Sequence, residues 1–147
     1  MRLAVCSIQP VNEREFQTST RNILDPSDFD RFLECHEAVL FIYVDWSIYA
    51  KQGLQIVEKV EGVFRGDHSS RRPAFWLADV SDESSSGFFI GEWLNAQNSR
   101  GIRMFPGIAT GNGSLVWIKN GEVVDFALSA LHLEVEGIIG RTESAFR

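Results

Sequence analysis

The chain has 147 residues, 44% apolar and 23% charged, with a formal net charge of −6 and two cysteines. Eleven Phe, four Trp and two Tyr supply material for a core and exclude a disordered chain. The acidic balance excludes a general binder of nucleic acid or anionic membrane, and cysteines at 6 and 35 alone exclude a disulfide-framework fold. Chains of roughly 100–200 residues usually build one core, so residues 1–147 read as a single domain. Within it, residues 1–26 read as an N-terminal extension or first strand and 27–142 as the packed core.

Leu3–Ile8 is an apolar stretch of strand length, broken by Gln9-Pro10. It is too short for an export signal, and Glu13 and Glu15 do not fit a transit peptide, so a cytoplasmic location is expected. Asp25-Pro26-Ser27 punctuates the chain. Ser27 with Asp30 resembles a capping box, and Phe29, Phe32, Leu33 and His36 recur at helical spacing, predicting a helix over Asp28–His36. Ala38–Val44 is the longest apolar run and falls far short of the roughly 18 residues a membrane span needs. Its β-branched and aromatic content predicts a strand buried on both faces, as in a parallel sheet.

Ala50, Leu54, Val57, Glu61 and Phe64 lie on one face, and Ile56, Val60 and Val63 extend its apolar stripe, which predicts a helix over Ile48–Phe64. Gly53 inside it costs about 1 kcal/mol relative to Ala. Arg65–Arg72 reads as a polar loop, Pro73–Val80 as a second buried strand, Ser81–Gly87 as a loop and Phe88–Gln97 as a helix. Gly101–Gly113 is loop-like. Leu115–Ile118 and Val123–Leu128 read as strands joined at Asn120-Gly121, a strong hairpin signal. Leu131, Val135, Ile138 and Ile139 mark a last helix. A strand–helix–strand unit demands a right-handed crossover and a parallel pair, while the hairpin adds an antiparallel one. The fold class is therefore α/β, a central mixed sheet with helices on both faces.

From Ala38 to about Ile139 the chain resembles the thioredoxin family. Val44-Asp45-Trp46 ends the central strand, and Lys51 stands five residues after the Trp. Ile118-Lys119-Asn120-Gly121-Glu122-Val123-Val124 matches at the hairpin, and Ser129-Ala130-Leu131 stands where the family has Gly-Ala-Leu. The resemblance implies a thioredoxin-like fold, which the element order supports independently.

The active-site positions depart from that family. Thioredoxins carry Trp-Cys-Gly-Pro-Cys-Lys, with the first Cys at a helix N-terminus where the dipole favours its thiolate. Here the stretch is Trp46-Ser47-Ile48-Tyr49-Ala50-Lys51. A hydroxyl and a methyl cannot exchange disulfides. The family's buried Asp falls at Phe41, counted back from Trp46, and a carboxylate without a thiol to serve would only cost desolvation. The family's cis-proline falls at Gly113, counted back from the hairpin; Pro106 lies seven residues earlier. An insertion after a retained cis-Pro106 and a lost proline at Gly113 both remain open. Ser129 stands where the family has a Gly beside its groove.

Ser47 is either a helix cap or, as in glutathione transferases that share this fold, a hydroxyl for glutathione. A cap needs no partner residues, and 147 residues are not expected to hold the transferases' all-helical second domain as well. Cys6 and Cys35 are separated by 28 residues, neither near Trp46, and are expected to be two unreactive thiols. His36, His68 and His132 have no metal-ligand spacing, so no metal or other cofactor is expected. No Gly-x-Ser-x-Gly elbow supports a hydrolase, and Gly107–Gly113 lacks the ending that grips phosphate. Arg65, Arg71 and Arg72 read as a solvated loop, and Asp79, Asp82 and Glu83 as a polar loop rather than a cation site.

Two functions follow. One is a redox-inactive module that binds a protein or peptide, with Trp46, Ile48, Tyr49, Pro106, Gly113 and Ser129 as the candidate surface. The alternative is a non-dithiol enzyme binding or conjugating glutathione through Ser47.

Overall fold

The computed structural model describes residues 21–66, 73–82, 84–85, 87–99 and 111–147. Five strands form one sheet: β1 (Arg21–Asn22), β2 (Glu37–Tyr43), β3 (Ala74–Asp79), β4 (Leu115–Lys119) and β5 (Glu122–Ala127), in the order β1-β3-β2-β4-β5. Four helices accompany them among the described residues: α1 (Pro26–Glu34), α2 (Ile48–Gly66), α3 (Ile90–Ser99) and α4 (Ala130–Ala145). β2 runs parallel to β3 and antiparallel to β4, which gives the mixed sheet expected.

The central strand explains the layering. Side chains alternate across a strand with period two. Val39 and Phe41 therefore face one side with Val57, Val60, Phe64, Leu115, Trp117 and Ile138, under α2 and α4. Leu40 and Ile42 face the other with Phe32, Trp76, Ile90 and Leu94, under α1 and α3. On that second side the rings of Phe29, Phe32, Trp76 and Trp93 meet edge to face at 5.7–5.9 Å, a favoured aromatic geometry. Ile23 and Phe146, both outside the expected 27–142 core, are buried.

Several local expectations are corrected. α1 starts at Pro26, and its N-cap is Asp25 rather than Ser27: the Asp25 carboxylate accepts from Asp28 N at 2.9 Å, while Pro26 gives up no needed N–H at the first turn. Asp28 in turn accepts from Leu24 N at 2.9 Å. β1 has no counterpart in the pattern reading, because two polar residues carry no period; it forms by pairing beside β3. The candidate strand Leu3–Ile8 lies outside the described residues. α3 starts two residues later than expected, after a turn in which Ile90 N donates to Gly87 O. In α4, Glu134 takes φ 60°, ψ 177° and kinks the helix. The kink breaks the 3.6-residue period, so Leu133, not Leu131, packs with Val135 and Ile139 against the core.

The hairpin is as read. Asn120 and Gly121 have φ of 52° and 83°, the two positive values a type I′ turn requires. Val124 is left unpaired between Trp117↔Asp125 and Ile118↔Val123, a β-bulge. His36 Nδ1 lies 2.7 Å from Asn120 Oδ1, and Asn120 N donates to His36 O at 2.9 Å, tying the turn to the start of β2.

Asp28 is held below the ordinary carboxylate range. Burial pushes its carboxyl up, but the Arg31 guanidinium at 2.6 Å and the Leu24 N–H outweigh that. The group is more acidic folded than unfolded. Its contribution is therefore present above the unfolded value of about 3.9 and is lost as pH falls through the folded value. Asp28→Asn should lose less Tm than the parent between about pH 5 and acid; parallel Tm-against-pH curves would refute this.

Candidate functional site

The site is built where β2 ends and α2 begins. A parallel sheet delivers its strand ends and helix starts to one edge, the place where α/β folds bind ligands. Ser47 caps α2. Its Oγ accepts from Tyr49 N at 3.2 Å and Ala50 N at 3.3 Å, and donates to Gly111 O at 2.5 Å. The side chain is only 7% exposed. Its hydrogen-bonding capacity is thus spent on the helix end and on the chain segment above it. This geometry supports the cap and leaves no open hydroxyl for glutathione.

Gly111 lies over the capped turn with φ 80°. A Cβ there would stand 2.8 Å from Trp46 Cζ3 and 3.3 Å from Ser47 Cβ, so only glycine lets the backbone reach Ser47. Gly113, with φ 71°, sits against Ala50 Cα and the Phe41 ring, and its carbonyl accepts from Ala130 N at 2.8 Å. It immediately precedes Ser114 and β4 and is buried, so it lends position rather than exposed surface. Pro106 lies outside the described residues, and among those residues there is no cis peptide bond.

Phe41 is fully buried beneath this layer. A Cβ on Gly53 would come within 3.3 Å of Phe41 Cζ, as would one on Gly113. The Gly inside α2 is therefore not only a weak helix former: it makes room for an aromatic ring.

Above the capped turn, Trp46, Ile48 and Tyr49 are each 59% exposed. Trp46 is nonetheless fixed, its indole N–H donating to Ser81 O at 3.2 Å. Ser81 itself is held by Asp79: Asp79 Oδ1 accepts from Ser81 N at 3.0 Å and from its hydroxyl at 2.5 Å, and Ser81 Oγ accepts from Asp45 N at 2.8 Å. Asp82 Oδ1 accepts from Ser84 N and its hydroxyl, which hold that carboxyl below its ordinary range. Burial, then the charges of Asp45 and Asp79, push the Tyr43 hydroxyl up.

Asp79 and Asp82 are thus engaged in shaping the loop, and Glu83 lies outside the described residues. No group of three metal-ligating side chains occurs among the described residues. His132 is exposed, His36 precedes β2 and is bonded to Asn120 of the hairpin turn, and His68 falls outside the described residues. Ser129 caps α4, accepting from His132 N at 3.3 Å, and is half-buried. Lys51 is exposed. Cys35 is buried and disulfide-bonded, which corrects the free thiol expected there: spacing along the chain sets no distance in space. Cys6 lies outside the described residues. The residues that sequence reasoning missed are Ser81, which pins Trp46, and Gly111, which covers Ser47; the signal was the Gly-x-Gly spacing at 111–113 beside a degenerate helix start.

Sheet order, mixed pairing and a long helix opening at the end of the central strand define the thioredoxin-fold class. No protein-family model matches the chain, and no curated protein does. Solved structures do. The solution structure of oxidised thioredoxin from Plasmodium falciparum matches with a TM-score of 0.55 and 16% identity, over 88% of this chain and 100% of that one. Thioredoxin O2 from Arabidopsis thaliana, oxidised, gives 0.59 at 12%, over 89% and 97%. Fasciola hepatica thioredoxin gives 0.56 at 17%, over 84% and 99%. At such identities the likeness is one of fold. The chain is a thioredoxin-fold protein with no Cys-x-x-Cys pair, and no described helix is long and apolar enough to cross a membrane.

The Phe41–Gly53 contact yields a signed prediction. An exposed helical Gly→Ala change would stabilise by roughly 1 kcal/mol. Here Gly53→Ala should lower Tm, because Phe41 is enclosed between two glycines and cannot give way. In a Phe41→Leu background the same change should be neutral or raise Tm. A Tm gain for Gly53→Ala in the parent would overturn the wedge.

Proposed function

We propose that the protein is a redox-inactive thioredoxin-fold module that binds a protein or peptide through Trp46, Ile48 and Tyr49. One observation carries the reading: Trp46 is more than half exposed yet pinned by Ser81 and backed by Gly111. A free surface tryptophan costs ordering entropy on binding, whereas one already held does not. Trp and Tyr are the residue types that anchor interfaces. Ile48, presented from the same helix turn, adds apolar area worth about 25 cal/mol per Å² buried.

The missing chemistry supports the same view. With Ser47 and Ala50 at the family's sulfur positions and Phe41 at that of its acid, neither a nucleophile nor its proton relay is left. Ser47's hydroxyl is engaged and nearly buried, which removes the support for glutathione conjugation.

The test is selection of binders from a random-peptide display library, followed by affinity measurement with variants. Trp46→Ala and Tyr49→Ala should each weaken selected peptides by roughly 30-fold, about 2 kcal/mol, the range of an interface anchor. Both side chains are exposed, so Tm should change little. Peptides that bind both variants as tightly as the parent would sink the surface. Reduction of insulin disulfides above background in the presence of a thiol reductant would sink the redox-inactive part.

A further inference from the structure

Ser81 gathers carboxylates around the exposed indole. Its carbonyl accepts from Trp46 Nε1 at 3.2 Å, and its hydroxyl accepts from Asp45 N at 2.8 Å. The same hydroxyl donates to Asp79 Oδ1 at 2.5 Å, and Asp82 is the next residue in the chain. Asp45 and Trp46 are neighbours in one turn, and both are exposed, as is Asp82. Asp45 and Asp79 lie near enough together that both their charges act on the Tyr43 hydroxyl, after burial. Exposed Lys51 brings one positive charge to the first turn of α2.

A partner that covers Trp46 also comes down on Asp45, its chain neighbour. A carboxylate covered without a countercharge loses its hydration and gains nothing in return. A cation on the partner turns that cost into an ion pair, and the face of an exposed indole attracts the same cation. Taking Trp46, Ile48 and Tyr49 as the binding surface proposed above, we propose that it selects a peptide whose apolar anchor is flanked by Lys or Arg, with Asp45 as the residue that reads the cation. Ile48 and Tyr49 take the anchor, while Asp45 and the Trp46 ring take the charge. Charge complementarity of this kind governs which partner is accepted, and how fast it arrives, more than how tightly it is held. A peptide with Asp or Glu at that place meets like charge and is rejected.

The probes are a pair of random-peptide display libraries, alike except that one encodes Lys and Arg and the other Asp and Glu. On the full chain the basic library should give about tenfold more binders that depend on Trp46. Asp45→Asn keeps the backbone bond to Ser81 and removes only the charge; it should weaken these peptides about fivefold, the range of a partly exposed ion pair. Glu136→Gln removes the same charge at an exposed site on α4 and is the control for net charge; it should stay with the parent. Changing the peptide's flanking Lys or Arg to Gln should cost as much as Asp45→Asn, and the two changes together should cost no more than either alone. Binders that need Trp46 but come equally from both libraries, or that bind Asp45→Asn as tightly as the parent, would overturn the charge selection and leave the Trp46 surface standing. An equal loss with Glu136→Gln would do the same. Libraries that yield no binder dependent on Trp46 would overturn both.

Discussion

The structure turns on the ring of Phe41. It stands at the centre of the sheet, under the start of α2, and three backbone features are arranged around it. A Cβ added to Gly53 in the helix would stand 3.3 Å from the ring and 3.6 Å from Ala130 Cβ at the start of α4, and one added to Gly113 before β4 would also stand 3.3 Å from the ring. A buried aromatic side chain brings a large apolar area with no polar group to satisfy. A carboxylate in the same place would need a partner or would stay protonated. The exchange of acid for ring therefore changes what the neighbouring segments can be. With no charge to hydrate, the chain at 111–113 can close down on Ser47, and glycines with positive φ are what let it come so near.

That closure sets the character of the surface above. Ser47 spends its hydroxyl on two helix N–H groups and one carbonyl, which leaves the helix N-terminus, elsewhere a place to activate a nucleophile, already satisfied by a neutral side chain. The ends of β2 and β3 are joined by the Asp79–Ser81–Asp45 hydrogen bonds, and Ser81 passes that rigidity to Trp46. A fold that can position a thiolate instead positions an indole. Function belongs to the site and not to the fold, and the proposed reading of this face as a contact surface rests on the side chains it presents.

The sequence made most of the sheet legible, because its signals are local. The apolar run at 38–44 could only be a strand buried on both faces, and Asn120-Gly121 could only be satisfied by a turn with two positive φ values. The degenerate site was legible too, since Ser47 and Ala50 are identified by their distance from Trp46. What escaped was non-local. β1 exists through its neighbour β3, not through any pattern in Arg21–Asn22. Gly53 read as a defect of its helix because the ring it accommodates is 12 residues away in the chain. Leu133 replaced Leu131 on the core because a backbone kink at Glu134 is invisible to a period that assumes a straight helix. The N-cap slipped from Ser27 to Asp25 because both residue types cap well and Pro26 decides which N–H groups need satisfying.

The two charged devices of the molecule follow the same logic as the apolar one. Asp28 and Asp125 each bind a backbone N–H and an arginine, and each does so at an end of regular structure: the start of α1 and the edge of the sheet. An exposed ion pair contributes little by attraction, but a carboxylate that also accepts from the backbone satisfies a group that the secondary structure leaves open. The arginine then fixes the carboxylate's rotamer. On this view these two charged pairs act at the ends of regular structure, while the core clusters are built from aliphatic and aromatic side chains. The exposed aromatics beside the start of α2 are the exception: Trp46 faces solvent while its indole N–H is tied to Ser81 O. That combination of exposure and restraint is what the proposed binding surface rests on.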